Sequence, residues 1–136
     1  MRTLIQQLHE GDYSLVVRSR KEVMTFTKPG VADLLDLLNH EPHVLRGALV
    51  ADKVVGKAAA ALLVLGLVGE VYAEVISTPA REYLEEFMIP VTFMLEVPFV
   101  MNRTNDGWCP MEKLAFAEFN PQKIKKKIEE FIESKS

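Results

Sequence analysis

The segment RGALVADKVVGKAAAALLVLGLVGEVYAEVIS, residues Arg46–Ser77, contains the pattern that decides the fold. Its first part, the apolar run Gly47–Ala51 that ends at Asp52, predicts a short strand. The residues that follow, Lys53–Leu67, are rich in alanine and leucine and predict a helix. Beyond two glycines, the β-branched run Val71–Ile76 predicts a second strand. Two strands joined by one helix lie parallel, with a right-handed crossover.

The helix predicted in this segment is apolar on every side. Its small and aliphatic residues point in all directions around the helix axis, among them Ala61, Leu63 and Val64. A helix of this kind is buried on both sides, by the sheet and by a second layer. Two candidates supply that layer: the C-terminal segment of the chain, or a second copy of the chain.

Length, composition and charge predict one domain and exclude nucleic-acid binding. The chain has 136 residues, 49% of them hydrophobic, so we expect a single domain over residues 1–136. Residues 1–119 form its predicted core, and residues 120–136 form a C-terminal amphipathic helix with its isoleucines on one side. The net charge of -3 and the pI near 5.6 give no electrostatic reason to bind nucleic acid.

Targeting and redox features predict a cytoplasmic protein. The longest run without charge, residues 58–69, is too short for a membrane span, and the first residues lack the form of a signal peptide. We therefore expect no membrane association. The single cysteine, Cys109, excludes an internal disulfide and a metal centre built from several cysteines.

The remaining elements follow an order typical of an α/β domain. Helices are predicted over Thr3–Leu8, Val31–Leu38, Thr78–Met88 and Pro121–Ser136, and strands over Tyr13–Arg18, Glu22–Phe26 and Val91–Val97. The first two strands suit a hairpin. If the last three strands, which begin at Arg46, Val71 and Val91, are parallel, the segments 52–57, 77–79 and 98–110 that follow them meet at one edge of the sheet. Ligands in open parallel sheets bind at this carboxyl edge.

The segment Asp52–Lys57, DKVVGK, predicts a small anion site at this edge. Asp52 is suited to cap the predicted helix, Gly56 allows close backbone approach, and Lys53 and Lys57 lie four residues apart beside the positive end of the helix dipole. A phosphate or carboxylate fits such a position. The alternative is that both lysines are solvated charges at the start of an apolar helix.

The segment around Cys109 predicts a second helix start. Cys109, Pro110 and Glu112 match the N-cap, N1 and N3 positions, and Glu112 is placed to close a capping box. A thiolate at a helix N-terminus is stabilised, which makes Cys109 a candidate nucleophile. Two observations oppose this: Asp106 and Glu112 are near in sequence, and no neighbouring base is evident. The alternative is a structural Cys-Pro helix start.

With Glu112, which we also expect to contact the ligand, Asn102 and Arg103 complete the predicted ligand-binding residues. Their amide and guanidinium groups suit a planar or anionic ligand, although in a loop rich in turn residues they could equally hold the turn. His40 and His43 are the remaining metal-ligand candidates, but Pro42 between them interrupts a shared helix face. We therefore predict no metal site and no cofactor.

The order of elements, with GALVADKVVGKAAA, STPAREYLEEF and NRTNDGWCPME, resembles an uncharacterised family, a domain of unknown function in the cytidine-deaminase-like superfamily. The resemblance implies a three-layer α/β fold in which a five-stranded mixed sheet has helices on both faces. Working deaminases hold zinc with H-x-E and P-C-x-x-C at two helix starts. The corresponding starts here, residues 27–31 and 52–57, carry neither set, so we exclude zinc-dependent deamination.

Two hypotheses follow from these predictions. In the first, the domain binds a small nucleotide-like or phosphorylated ligand: Lys53, Lys57 and Arg103 face its anionic groups, Asn102 contacts a polar edge, and Cys109 is a candidate nucleophile. In the second, the protein is a non-catalytic regulatory or scaffolding homodimer. Its interface is then the apolar helix at the centre of the chain.

Overall fold

The computed structural model of the protein describes residues 1–20, 22–28, 30–101 and 107–135. The elements in chain order are α1 (Arg2–Glu10), β1 (Leu15–Arg18), β2 (Val23–Phe26), α2 (Ala32–His40), α3 (Pro42–Leu45), β3 (Leu49–Val55), α4 (Lys57–Leu65), β4 (Glu70–Ser77), α5 (Thr78–Glu86), β5 (Val91–Val97), α6 (Pro110–Ala115) and α7 (Pro121–Lys135). Within these ranges, no helix combines the length and the apolar character needed to cross a lipid bilayer.

The strands form one mixed sheet in the order β2-β1-β3-β4-β5. β1 pairs antiparallel with β2 and with β3, whereas β3, β4 and β5 are parallel to one another. The predicted hairpin and the predicted parallel strands are both confirmed. Because the three parallel strands end at the same edge, the segments that follow them emerge side by side.

Helices cover both faces of this sheet. Val16 and Ala51 pack with Leu4 and Leu8 of α1, whereas residues that alternate with them along β1 and β3 belong to the larger core around α4. Alternate residues of a strand point to opposite faces, so α1 lies on one face and α4 on the other. The five-stranded α/β architecture with helices on both faces is confirmed.

The apolar helix α4 is covered by the chain itself. Its residues from Ala58 to Val64 are all buried, and α5, α6 and α7 pack against it. Ile124 and Ile128 of α7 are fully buried in the same core. Of the two candidates for the layer over α4, the C-terminal segment is therefore the one that the structure shows. The predicted dimer interface on α4 is wrong, because α4 presents no open apolar face.

The boundary between β3 and α4 corrects one prediction. β3 continues to Val55, and α4 begins at Lys57 rather than at Lys53. Val54 and Val55 pair with β4, so the strand keeps its backbone hydrogen bonds through residues that the pattern assigned to a helix. Gly56, with extended dihedral angles, makes the turn between the two elements.

Candidate functional site

A cavity of about 550 Å³ lies at the carboxyl edge of the parallel strands. Its walls come from four parts of the chain: the start of α2, the turn from β3 into α4, residues 100–101 after β5, and the start of α6. Most wall residues are apolar, including Val31, Val54 and Met111. Its volume falls in the range of small-molecule sites, about 300–1,000 Å³.

The start of α6 is anchored beside this cavity by backbone and aromatic contacts. The Cys109 N–H donates to the carbonyl of Val100 at 2.9 Å, and Met101 forms an isolated bridge with Trp108. The rings of Phe99 and Trp108 stack with centroids 4.0 Å apart. These contacts hold Cys109 in the cavity wall, where it is a half-buried free thiol.

Among the described residues, Glu112 is the one charged residue that lines the cavity. Only 2% of its surface is exposed, and its Oε2 accepts a long hydrogen bond, 3.4 Å, from the N–H of Lys57 at the start of α4. Its Oε1 has no hydrogen-bond partner among the described residues. A carboxylate at this position is stabilised by the positive end of the α4 dipole, while the second oxygen stays unpaired.

This arrangement corrects the predicted capping box at α6. Cys109 is the N-cap residue and Glu112 lies at N3, as the sequence predicts. However, the Glu112 carboxylate reaches across to α4 instead of back to Cys109, whose N–H is already bonded to Val100. Glu112 therefore links two helix starts that are 55 residues apart in sequence.

Gly56 makes room for the Glu112 carboxylate. A Cβ atom built on Gly56 would lie 2.8 Å from Glu112 Oε1 and 3.1 Å from its Cδ. Any other residue at this position would therefore displace the carboxylate. The predicted close approach to Gly56 is present, but the group that approaches is a side chain of the protein itself.

The two lysines of the predicted anion site are separated. Lys57 Nζ donates to the carbonyl of Phe116 at 2.9 Å and lies 5.6 Å from the centre of the Tyr83 ring. Burial lowers the pKa of Lys57, against the opposing effect of nearby Glu112. Lys53 lies on β3 and forms a 2.7 Å ion pair with Asp12. The prediction that both lysines share a helix face is wrong, because Lys53 belongs to the strand.

Asp52 is likewise a strand residue and not a helix cap. It is 9% exposed, and its Oδ1 accepts from the N–H of Val54 at 3.3 Å. Burial raises the pKa of Asp52 to about 7, although that backbone hydrogen bond acts in the opposite direction. The N-cap of α4 is Gly56, which has no capping side chain.

A smaller cavity of about 180 Å³ adjoins the larger one, because Gly30 and Val54 line both. Asp52 and Asp33 line the smaller cavity, and Asp33 Oδ2 is a buried oxygen with no partner within the described ranges. The sequence prediction missed Asp33. The signal in the sequence that could have identified Asp33 is an acidic side chain in the first turn of a predicted helix.

The other predicted site residues lie apart from this group or outside the described residues. Asn102 and Arg103 belong to residues 102–106, which the structure does not describe. His40 is exposed and lies 3.5 Å from Asp36, one helical turn earlier. In the described ranges, no group of three or more His, Cys, Asp and Glu side chains is arranged to hold a metal ion.

Comparisons with known proteins agree on family and fold. The family model for a domain of unknown function, DUF1893 (TM1506), matches residues 3–132. A crystal structure of the DUF1893 family protein TM1506 from Thermotoga maritima is similar to this chain, with 29% sequence identity and a TM-score of 0.86. The match covers 93% of this chain and 86% of that chain. A comparison with curated proteins gave no match.

Proposed function

Because the chain belongs to the DUF1893 family, a family of unknown function, we propose its function from the geometry of the site. The protein binds a small nucleoside-like heterocycle in the cavity between the starts of α2, α4 and α6. An N–H group at the edge of the ring donates a hydrogen bond to Glu112 Oε1. This proposal keeps the nucleoside part of the ligand predicted from sequence and leaves out a phosphate.

The unpaired oxygen of Glu112 carries the proposal. Glu112 is almost fully buried and lines the cavity, and its Oε1 has no donor among the described residues. Leaving a buried acceptor unpaired costs about 1–3 kcal/mol. A ligand that supplies the missing donor removes this penalty, so the cavity favours ligands with an N–H over apolar molecules of the same shape.

The cavity walls favour a planar, largely apolar ligand body. Val31, Val54, Val100 and Met111 provide aliphatic and thioether surface, and Ala58 and Ala59 leave space at the start of α4. A heteroaromatic ring combines such a body with directed N–H groups at its edge. The resemblance to cytidine-deaminase-like proteins adds a fold-level analogy for a base at this edge of the sheet.

Phosphate binding has less support than ring binding. The Lys57 amine is directed to Phe116 and the Lys53 amine to Asp12, so both cations are engaged outside the larger cavity. The start of α4 already holds the Glu112 carboxylate, which repels a second anion. We therefore expect a 5′-phosphate to add no affinity.

A nucleophilic role for Cys109 stays a prediction. Cys109 lines the cavity, but within the described ranges its thiol has no hydrogen-bonded base, and the charged residue that lines the same cavity is the anionic Glu112. A nucleophilic cysteine is activated by a base or by nearby positive charge. The proposed function is therefore binding, and no covalent step belongs to it.

Titration calorimetry with uridine, cytidine and guanosine tests the proposal. We expect at least one nucleoside to bind, and Glu112→Leu to weaken its binding by about tenfold or more, because this substitution removes a hydrogen bond to a charged group that contributes about 1.5–3 kcal/mol. Glu86→Leu is the matched control, since Glu86 is exposed on α5 and the charge change is the same. Equal affinities of both variants would contradict the proposal.

Alkylation of Cys109 tests the location of the bound nucleoside. Cys109 is the single cysteine of the chain, so iodoacetamide reports on this position alone. A nucleoside bound in the cavity should slow the alkylation in a saturable manner. An unchanged rate at saturation would place the ligand elsewhere and reject the cavity as its site.

A further inference from the structure

The outer edge of β5 is an open strand edge in the part of the chain that the structure describes. β5 is the last strand in the sheet order, and its one strand partner is β4. It runs for seven residues, Val91–Val97. A strand edge of this length presents a row of N–H and C=O groups to another strand, which most proteins prevent by short edges or by charge.

The side chains of this edge are apolar and exposed. Phe93, Met94 and Leu95 have 39%, 68% and 55% of their surface exposed. The opposite edge of the sheet, β2, is four residues long and is flanked by the exposed Glu22. The short length of β2 and the nearby charge therefore protect it from pairing with another strand, as is usual at a sheet edge. β5, in contrast, has the features of a pairing surface.

The one charge on β5 is neutralised within the chain. Glu96 Oε1 accepts from Arg81 Nε at 2.8 Å, and Glu96 Oε2 accepts from Thr78 Oγ1 at 2.7 Å. These contacts with Thr78 and Arg81 also lower the pKa of Glu96, against the effect of burial. A second strand that approaches this edge therefore meets no unpaired carboxylate.

The sequence of β5 has the symmetry that a two-fold interface requires. In VTFMLEV, polar and apolar positions are arranged symmetrically about Met94. Antiparallel pairing centred there places Met94 opposite Met94 of the second copy, Phe93 opposite Leu95, and Thr92 opposite Glu96. An isologous interface needs this self-complementarity, which an unrelated peptide strand does not share.

We propose that β5 is a dimerisation strand that pairs antiparallel with β5 of a second copy of the chain, centred on Met94. The five-stranded sheet of each copy then continues across the two-fold axis. This interface is distinct from the cavity and from the buried helix α4. It therefore stands independently of the proposed ligand.

Sedimentation equilibrium of the full chain tests the interface. We expect wild type to reach twice the chain mass of 15.3 kDa as its concentration rises. Met94→Glu and Met94→Lys each place like charges opposite one another and should raise the dissociation constant about a hundredfold or more. A mixture of the two variants should restore the dimer, because opposite charges then meet at the axis.

Val23→Glu is the matched control, because Val23 is an exposed apolar residue on the other edge strand. This variant should dimerise like wild type. A wild-type protein that stays at one chain mass would overturn the proposal, and so would a mixture of Met94→Glu and Met94→Lys that stays monomeric. Far-UV circular dichroism verifies that each variant is folded.

A disulfide gives a second test that needs no charged variant. Cα atoms opposite each other in an antiparallel pair lie about 4.5–5.5 Å apart, within reach of a disulfide. In a Cys109→Ser background, Met94→Cys should form a covalent dimer on mild oxidation, whereas Val23→Cys should not. Equal yields of covalent dimer from both variants would overturn the proposed interface.

Discussion

Helices α4 and α5 begin at the same edge of the sheet, yet their first turns are closed in different ways. At α5, Ser77 Oγ accepts from the N–H of Ala80 at 3.2 Å, a cap supplied three residues away. At α4, the N-cap is Gly56, and the acceptor is Glu112 from α6. The cap of α5 is local, whereas the Glu112 carboxylate at α4 bonds through one oxygen and leaves the other without a donor among the described residues.

The strands that precede these helices, β3 and β4, also differ in the polarity of a buried residue. Asp52 of β3 is paired in register with Ala73 of β4. The path into α4 therefore carries a buried carboxylate where the path into α5 carries a methyl group. Buried acceptors and a glycine turn stabilise a protein less than a serine cap and an apolar strand do. Local features that lower stability in this way are typical of functional sites.

The largest expected effect concerns burial, because residues 58–64 of α4 are all buried whereas α5 is half exposed. Ile128→Ala removes a fully buried α7 side chain from the core that covers α4. We expect a loss of about 2–5 kcal/mol in the free energy of unfolding, measured with urea. Lys126→Ala, on the exposed side of α7, should change it by less than about 0.5 kcal/mol. Similar losses in both variants would mean that α7 does not cover α4.

The second effect depends on the pKa of Asp52. In the unfolded chain Asp52 ionises near its ordinary pKa of 3.8, whereas in the folded protein it ionises at about 7. The folded state therefore binds the extra proton between these values, and the stability contributed by this group falls as pH rises through that window. Asp52→Asn removes this titration.

We expect Asp52→Asn to be more stable than wild type by about 2–4 kcal/mol at pH 8, with the difference shrinking toward pH 4. Urea unfolding at several pH values measures this trend. Asp36→Asn is a suitable control because the Asp36 side chain is 78% exposed. A stability difference that stays constant with pH would disprove the shifted pKa.

The third effect concerns the contact through which Glu112 of α6 caps α4. Gly56→Ala places a methyl group 2.8 Å from Glu112 Oε1 and should displace the carboxylate from α4. We expect a loss of about 1–2 kcal/mol in the free energy of unfolding and weaker nucleoside binding. In a Glu112→Ala background the same substitution should cost less, because the clash is gone. Additive effects of the two substitutions would show that the residues are not coupled.

The smallest expected effect removes the local cap. Ser77→Ala deletes the acceptor for the Ala80 N–H and should lower the free energy of unfolding by about 1 kcal/mol. It should leave nucleoside affinity unchanged, because Ser77 does not line the cavity. Calorimetry and urea unfolding of one preparation measure both quantities. A loss of nucleoside affinity in Ser77→Ala would show that the start of α5 also affects ligand binding, which would contradict the proposed difference between the two helix starts.

Sequence patterns predicted the elements whose signals are local. The bounds of β5 are confirmed, and so is Pro110 as the first residue of α6, because Pro90 and Cys109-Pro110 mark those boundaries within a few residues. The start of α4 was predicted too early, at Lys53. Asp52 and Lys53 look like the polar start of a helix, and the pairing with β4 that keeps them in a strand depends on a partner elsewhere in the chain.

The candidate site was predicted in part. The meeting of the β3–α4 turn with the start of α6 follows from parallel strands and is confirmed by the shared cavity. The role of Glu112 at α4 was not predicted, since a contact between residues 55 positions apart has no local signal. The Lys57 amine was predicted to face the ligand. Its direction toward Phe116 depends on the packing of α4 against α6, and the periodicity of the sequence does not indicate that packing.

Comparison of uridine with 3-methyluridine tests the central claim most directly, because the two nucleosides differ by the replacement of one N–H with a methyl group. If Glu112 Oε1 is the acceptor, wild type should bind uridine about tenfold or more tightly than its methylated analogue, and Glu112→Leu, which has no acceptor at this position, should lose this preference. If wild type binds both nucleosides equally, or if Glu112→Leu keeps the preference, Glu112 is not the group that holds the ligand.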